Sequence, residues 1–140
     1  MRIIPLIVLG AVLAQIPASF AASAAKPDEC AAGSQAEMRS CFEKTSLASA
    51  ATLAAAEQAA MSALSRWDED EKHRKSSIAA LKNSLKSFSA FRHAQCDFFS
   101  SLGGGAIGNA LALRRLECVT RLNLWQAEWL RAASADLPAK

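Results

Sequence analysis

Three apolar stripes at spacings of three and four, broken by one charged stretch and one glycine stretch, restrict this chain to a helical fold. Met38, Phe42, Leu53, Ala56, Ala60, Leu64 and Trp67 share one side of a helix running from about residue 35 to 73, with a break near Asp68. Ser34 and Glu37 stand at capping-box spacing in front of it. This stripe is small and weakly polar at Ser46 and Ser49, between Phe42 and Leu53. The second stripe is Ile78, Leu81, Leu85, Phe88 and Phe91, continuing toward Gln95 and Phe98. Between the two, Asp68 to Lys75 is read as a solvated turn, because an unbroken helix to Ser100 would be about 100 Å long. Ser100 to Gly105 breaks the pattern, since three consecutive glycines lose too much backbone freedom to stay helical. Leu111, Cys118, Leu122, Trp125 and Trp129 form the third stripe, which ends before Pro138. No alternating apolar pattern is long enough for a sheet. The expected fold is all-α: a three-helix antiparallel bundle. Phe42, Trp67, Phe88 and Phe91 are expected in its core; Trp125 and Trp129 are read as core packing on the first helix, with a partner-binding patch as the alternative.

Four cysteines, Cys30, Cys41, Cys96 and Cys118, are an even number in a short chain and read as two disulfides stapling the bundle. Their spacings leave no close pair of the kind zinc sites use, so no metal is expected. Three connectivities are open. Matching heights along the helices at 1.5 Å per residue favours Cys30–Cys96 and Cys41–Cys118.

The N-terminal segment reads as an export signal. Arg2 is followed by an apolar run from Ile3 to Ala14, too short for a bilayer span, which needs about 20 residues. Small residues after Pro17 place cleavage after Ala24, with Ala21 or Ala22 as alternatives. Removing residues 1–24 from 140 leaves 116, enough for one domain, 25–140. It takes away Arg2 alone and lowers the formal net charge of +3 to +2. The processed protein is expected to be periplasmic or secreted, with no further membrane span. A nearly neutral chain with interspersed acids and bases carries no basic stripe for nucleic acid.

The stretch from Phe88 to Cys96, the glycines Gly103-Gly104-Gly105 and the segment Cys118-Val119-Thr120-Arg121 together resemble the LprI-like lysozyme-inhibitor family of small exported helical proteins. Cys30 and Cys41 match its first cysteine pair; Phe88, Phe91, Arg92 and Cys96 match its central motif. Gly104-Gly105 match its loop, and Cys118 with Thr120 its last part. The chain departs from the family pattern at Phe88 for tryptophan, His93 for aspartate, Ala106 for serine and Gln126 for arginine.

The resemblance implies an envelope protein that binds a lysozyme or another peptidoglycan hydrolase. Such enzymes use a cleft with two carboxylates. The segment Ser100 to Ala106, tethered between Cys96 and Cys118, is the candidate plug, with Gly103, Gly104 and Gly105 at its centre. Arg92 and His93 are candidate cationic donors to the cleft. Read as ordinary helix residues, Arg92 packs its stem and pairs with an acid, and His93 is exposed. The alternative function is a helical envelope interaction or structural protein with a different partner. Nothing in the chain composes a catalytic constellation: His73 and His93 lie on separate elements, and no paired carboxylates are forced into a cleft. No enzyme activity and no cofactor are expected.

Overall fold

Ser34 starts the first long helix through reciprocal bonds with Glu37. The Ser34 hydroxyl accepts from the Glu37 amide at 3.4 Å, and the Glu37 carboxylate accepts from the Ser34 amide at 2.8 Å. The computed structural model describes residues 27–106 and 108–139; the expected export signal and its cleavage after Ala24 lie outside them. A 3₁₀ turn at Pro27–Ala31 precedes α1 (Gln35–Arg66), α2 (Glu71–Ser101) and α3 (Ala110–Ser134). Among the described residues the one extended pairing is an isolated bridge between Trp67 and Ala139. No helix among them is long and apolar enough to cross a membrane.

The acidic run does the work of a turn. α1 ends at Arg66, and Asp70 caps α2 by accepting from the His73 amide at 2.8 Å. Glu71 then lies in the first turn, where the helix dipole favours a negative charge. The C-terminal tail closes this end, because the Asp68 amide donates to the Pro138 carbonyl at 2.8 Å.

α3 packs along α1, with α2 lying more loosely against both. Ala56, Ala60 and Ala127 are buried among Leu53, Phe88 and Leu130, so the backbones approach closely where those alanines meet. A second cluster, Cys30, Phe42 and Leu113, sits at the glycine end. Between the clusters lies a polar layer in which Thr45, Ser49, Thr120 and Asn123 are all at most 4% exposed.

The three helices and two disulfides are as the sequence indicates, but the pairing is different. The bridges are Cys30–Cys41 and Cys96–Cys118, each with Cα atoms 5.5 Å apart, not Cys30–Cys96 and Cys41–Cys118. Matching heights assumed that the chain before α1 runs on toward α2. Gly33 instead takes φ 110°, open to glycine and strained for other residues, and folds the 3₁₀ turn back along the first turns of α1. Cys30 is therefore buried against its own helix. Ser100 sets the register at the other seam, its hydroxyl donating to the Leu111 carbonyl at 3.0 Å. That register brings Cys118 to Cys96.

Three aromatic expectations also change. Phe91, Trp125 and Trp129 are 50%, 56% and 51% exposed. The inward side of α3 is Thr120, Asn123, Ala127 and Leu130, which turns Trp125 and Trp129 outward. On α2 the inward side carries Phe88 and Cys96, and Phe91 falls outside it. Trp67 is half-buried, whereas Phe42 and Phe88 are buried.

Two measurements check this account. The Ser34 hydroxyl first, and its amide second, hold the Glu37 carboxyl below its ordinary value of 4.5. The cap is therefore intact above that value and is lost as pH falls through the lower folded-state pKa. The Ser34 amide resonance should titrate with a midpoint below 4.5. Replacing either cysteine pair by serine should cost on the order of 2–4 kcal/mol in urea unfolding. The cost should be larger for Cys96–Cys118, whose sequence separation is 22 against 11.

Candidate functional site

The connection from α2 to α3 begins as a tightened helix end. The Gly103 and Gly104 amides donate to the Ser100 and Ser101 carbonyls, both at 3.0 Å, and the Ala106 amide donates to the Gly103 carbonyl at 3.1 Å. Gly104 has φ 56° and Gly108 φ 73°, left-handed positions that let the chain reverse within a few residues. Gly103 is required for a second reason. A Cβ there would lie 2.3 Å from Leu111 Cδ2 and 3.2 Å from the Ser100 carbonyl oxygen, so the close approach of α3 to the end of α2 leaves little room. Gly104 and Gly105 have nothing within 4 Å of such an atom and stand exposed at the tip.

Anchors hold this tip from several sides. Cys96–Cys118 ties the two helices below it, and the Ser101 hydroxyl donates to the Phe98 carbonyl at 2.7 Å. From α1, Arg39 Nη1 donates to Asn109 Oδ1 at 3.0 Å. Asn109 is the N-cap residue of α3 but makes no side-chain cap bond. Arg114 lies over the Phe99 ring at 5.6 Å, and Arg115 is paired with Asp97. A small, side-chain-poor tip is thus flanked by Arg39, which also pairs with Glu43 at 2.8 Å, by Arg114, and by Arg115 in its pair with Asp97.

The residues singled out in the sequence divide into two groups. Gly103, Gly104 and Gly105 form the tip itself. His93 is exposed on α2, its Nδ1 3.4 Å from Arg115 Nη2. Arg92 turns into the bundle instead. Its Nη1 donates to Asn123 Oδ1 at 2.5 Å, and its guanidinium lies 5.6 Å from the Phe88 ring centre. Asn123 Nδ2 donates to Ser49 Oγ at 3.0 Å, and the Ser49 hydroxyl donates to the Ser46 carbonyl at 2.7 Å. One amide therefore joins α2 to α1 through α3. Arg92 pairs with an amide and not with the acid expected for it.

Sequence reasoning missed Arg39, Asn109 and the Arg114-Arg115 pair. The doublet in the second turn of the helix after the glycines was a usable signal; the reach of Arg39 across 70 residues had none. The acidic run Asp68–Glu71 lies at the opposite end, where it caps α2.

Gly103→Ala should lower stability by about 1–3 kcal/mol through overpacking against Leu111. Gly105→Ala should be neutral or slightly stabilising, because the site is open and the unfolded chain loses freedom. Asn123→Leu leaves Arg92 and Ser49 without their shared partner and should cost about 2–3 kcal/mol. Adding Arg92→Met should recover part of that loss, which a double-mutant cycle in urea measures.

No curated protein and no solved structure matches the chain. The family described as lysozyme inhibitor LprI matches residues 26–130, a range that contains both bridges, the polar layer and the glycine connection. The resemblance read from the cysteines, the Phe91-Arg92 motif and the glycines is thereby established: this chain belongs to the LprI lysozyme-inhibitor family.

Proposed function

We propose that the chain is exported by its first 24 residues, is processed to residues 25–140 and acts in the periplasm or outside the cell by binding a lysozyme-type peptidoglycan hydrolase through the glycine connection. The observation that carries this reading is a slim, exposed Gly104-Gly105 tip held by a disulfide and rimmed by arginines, in a chain of an inhibitor family. A cleft built for a sugar chain is narrow, and a tip without side chains can enter it. Its floor carries two carboxylates, one ionised in the working enzyme. Arg114 supplies positive charge beside the tip, and the start of α3 presents backbone N–H donors without a side-chain cap. Anchoring at Cys96–Cys118 and Arg39–Asn109 reduces the ordering cost of binding. Arg92 contributes by holding the helices that carry the tip, and His93 lies beside Arg115 on the same rim. The protein blocks a site and performs no chemistry of its own.

A turbidity assay of peptidoglycan lysis tests this directly. Oxidised protein should protect in a dose-dependent way, and reduction of the bridges should abolish protection. A Cβ at Gly105 has nothing within 4 Å, so Gly105→Trp should leave the helical circular dichroism unchanged. It should weaken protection at least tenfold, about 1.4 kcal/mol of binding. Undiminished protection by that variant would place the contact elsewhere.

A further inference from the structure

Exposed faces of soluble helices usually carry charge. The face of α2 that carries Phe91 and Phe98 has none from Ser76 to Leu102: Lys82, Lys86 and His93 fall away from it at 100° per residue, Asp97 stands at its margin paired with Arg115, and Arg92 is bonded inward to Asn123. On this bare face Phe91, Phe98 and Leu102 are 50%, 57% and 57% exposed. Isolated exposed apolar residues need no explanation, but a row of them on an uncharged helix face does.

The row has a heptad period. Ser77, Ser84, Phe91 and Phe98 recur every seven residues, and Ala80, Ser87, Ala94 and Ser101 follow each by three. Positions of this spacing face a partner helix in a coiled coil; here Phe91, Phe98, Ala80 and Ala94 supply the apolar contacts and four serines the rest. The C-terminal half of the row is bulky and the N-terminal half is small. The small half also opens into a groove of about 370 Å³ between the helices, in which Ala80 and Ser84 face Trp129 and Leu130.

We infer that this face pairs with the same face of a second copy of the chain, antiparallel, about a two-fold axis at Ser89. That register sets Phe98 opposite Ala80 of the second copy, Phe91 opposite its Ser87, and Ser84 opposite its Ala94. Every phenylalanine then meets a small residue, and Phe98 enters the groove beside Trp129 of the second copy. Two copies of one surface meet without like-charge repulsion where that surface is uncharged, as the row here is. The reciprocal contacts close into a dimer and do not propagate. The face is about 40 Å long and about 10 Å wide, a footprint on the order of 400 Å² per copy. A standard interface takes about 800 Å² from each partner, so the dimer is a weak, concentration-dependent one. Antiparallel pairing sends the two glycine connections to opposite ends and leaves both accessible.

Sedimentation velocity on the oxidised protein, in the form in which it accumulates, tests this from micromolar to millimolar concentration. The expected result is a reversible monomer–dimer shift. Ser84→Lys and Ala94→Glu are both exposed changes, and each alone should weaken the dimer at least tenfold with the thermal unfolding of the monomer unchanged. An equimolar mixture of the two should restore a dimer through the Lys–Glu pair, which only the antiparallel register creates. A monomer at every concentration, a dimer indifferent to Ser84→Lys, or no recovery on mixing would overturn the inference. So would loss of lysozyme protection by Ser84→Lys in a protein that stays monomeric, which would assign the face to the hydrolase. Protection by the wild-type protein is read separately, so failure here leaves the inhibitor reading to its own assay.

Discussion

A single buried amide holds the arrangement of this bundle. Asn123 on α3 accepts from Arg92 on α2 and donates to Ser49 on α1, and each of those groups has only one matching role left to offer. Apolar clusters above and below are tolerant of sliding, because Leu, Ala and Phe contacts have no direction. The amide does not tolerate it: shifting any helix by one residue would strand a donor or an acceptor in a dry interior, at a cost of about 1–3 kcal/mol per group. The polar layer therefore sets the relative heights of all three helices. The position of the glycine connection, and of everything proposed for it, follows from those heights.

The disulfides act on a different scale. Cys30–Cys41 is local and seals the chain start against α1, while Cys96–Cys118 ties the two helices that the glycine connection joins. Both lie toward the same end of the bundle. The family match covers this whole apparatus, from residue 26 to residue 130, and ends within α3.

Much of the fold was legible because it depends on local rules. Ser34 with Glu37, the acidic run ending at Asp70, and the three consecutive glycines each act within a few residues, and each marks a helix boundary in the structure. The disulfide pairing was not legible from helix heights, because Gly33 reverses the chain and nothing in the spacing shows a φ of 110°. The interior was misread where it is polar. Ser46 and Ser49 read as a gap in a stripe and nothing local marks Asn123 beside Leu122, although Asn123 bonds Ser49 across 74 residues and Ser49 bonds the Ser46 carbonyl. Trp125 and Trp129 fall on the third stripe by spacing, whereas their position relative to Asn123 and Ala127 puts them outside. Of the candidate site, the glycines were visible as a motif. The arginine rim was not, since Arg39 joins it only through the folded register.

The two ends of the bundle are shut by bonds of different kinds. Sulfur–sulfur bonds close the glycine end, while the opposite end relies on the Asp68 amide at the Pro138 carbonyl and the short Trp67–Ala139 bridge. Backbone hydrogen bonds open far more readily than covalent ones, and local opening takes the weakest boundary first. Fraying therefore runs in one direction, from the tail inward along α3, and stops where Asn123 and the cysteines begin. Amide hydrogens should exchange in that order, fastest around Ala135 and slowest around Thr120, so that the end bearing the glycines stays assembled while the other end breathes.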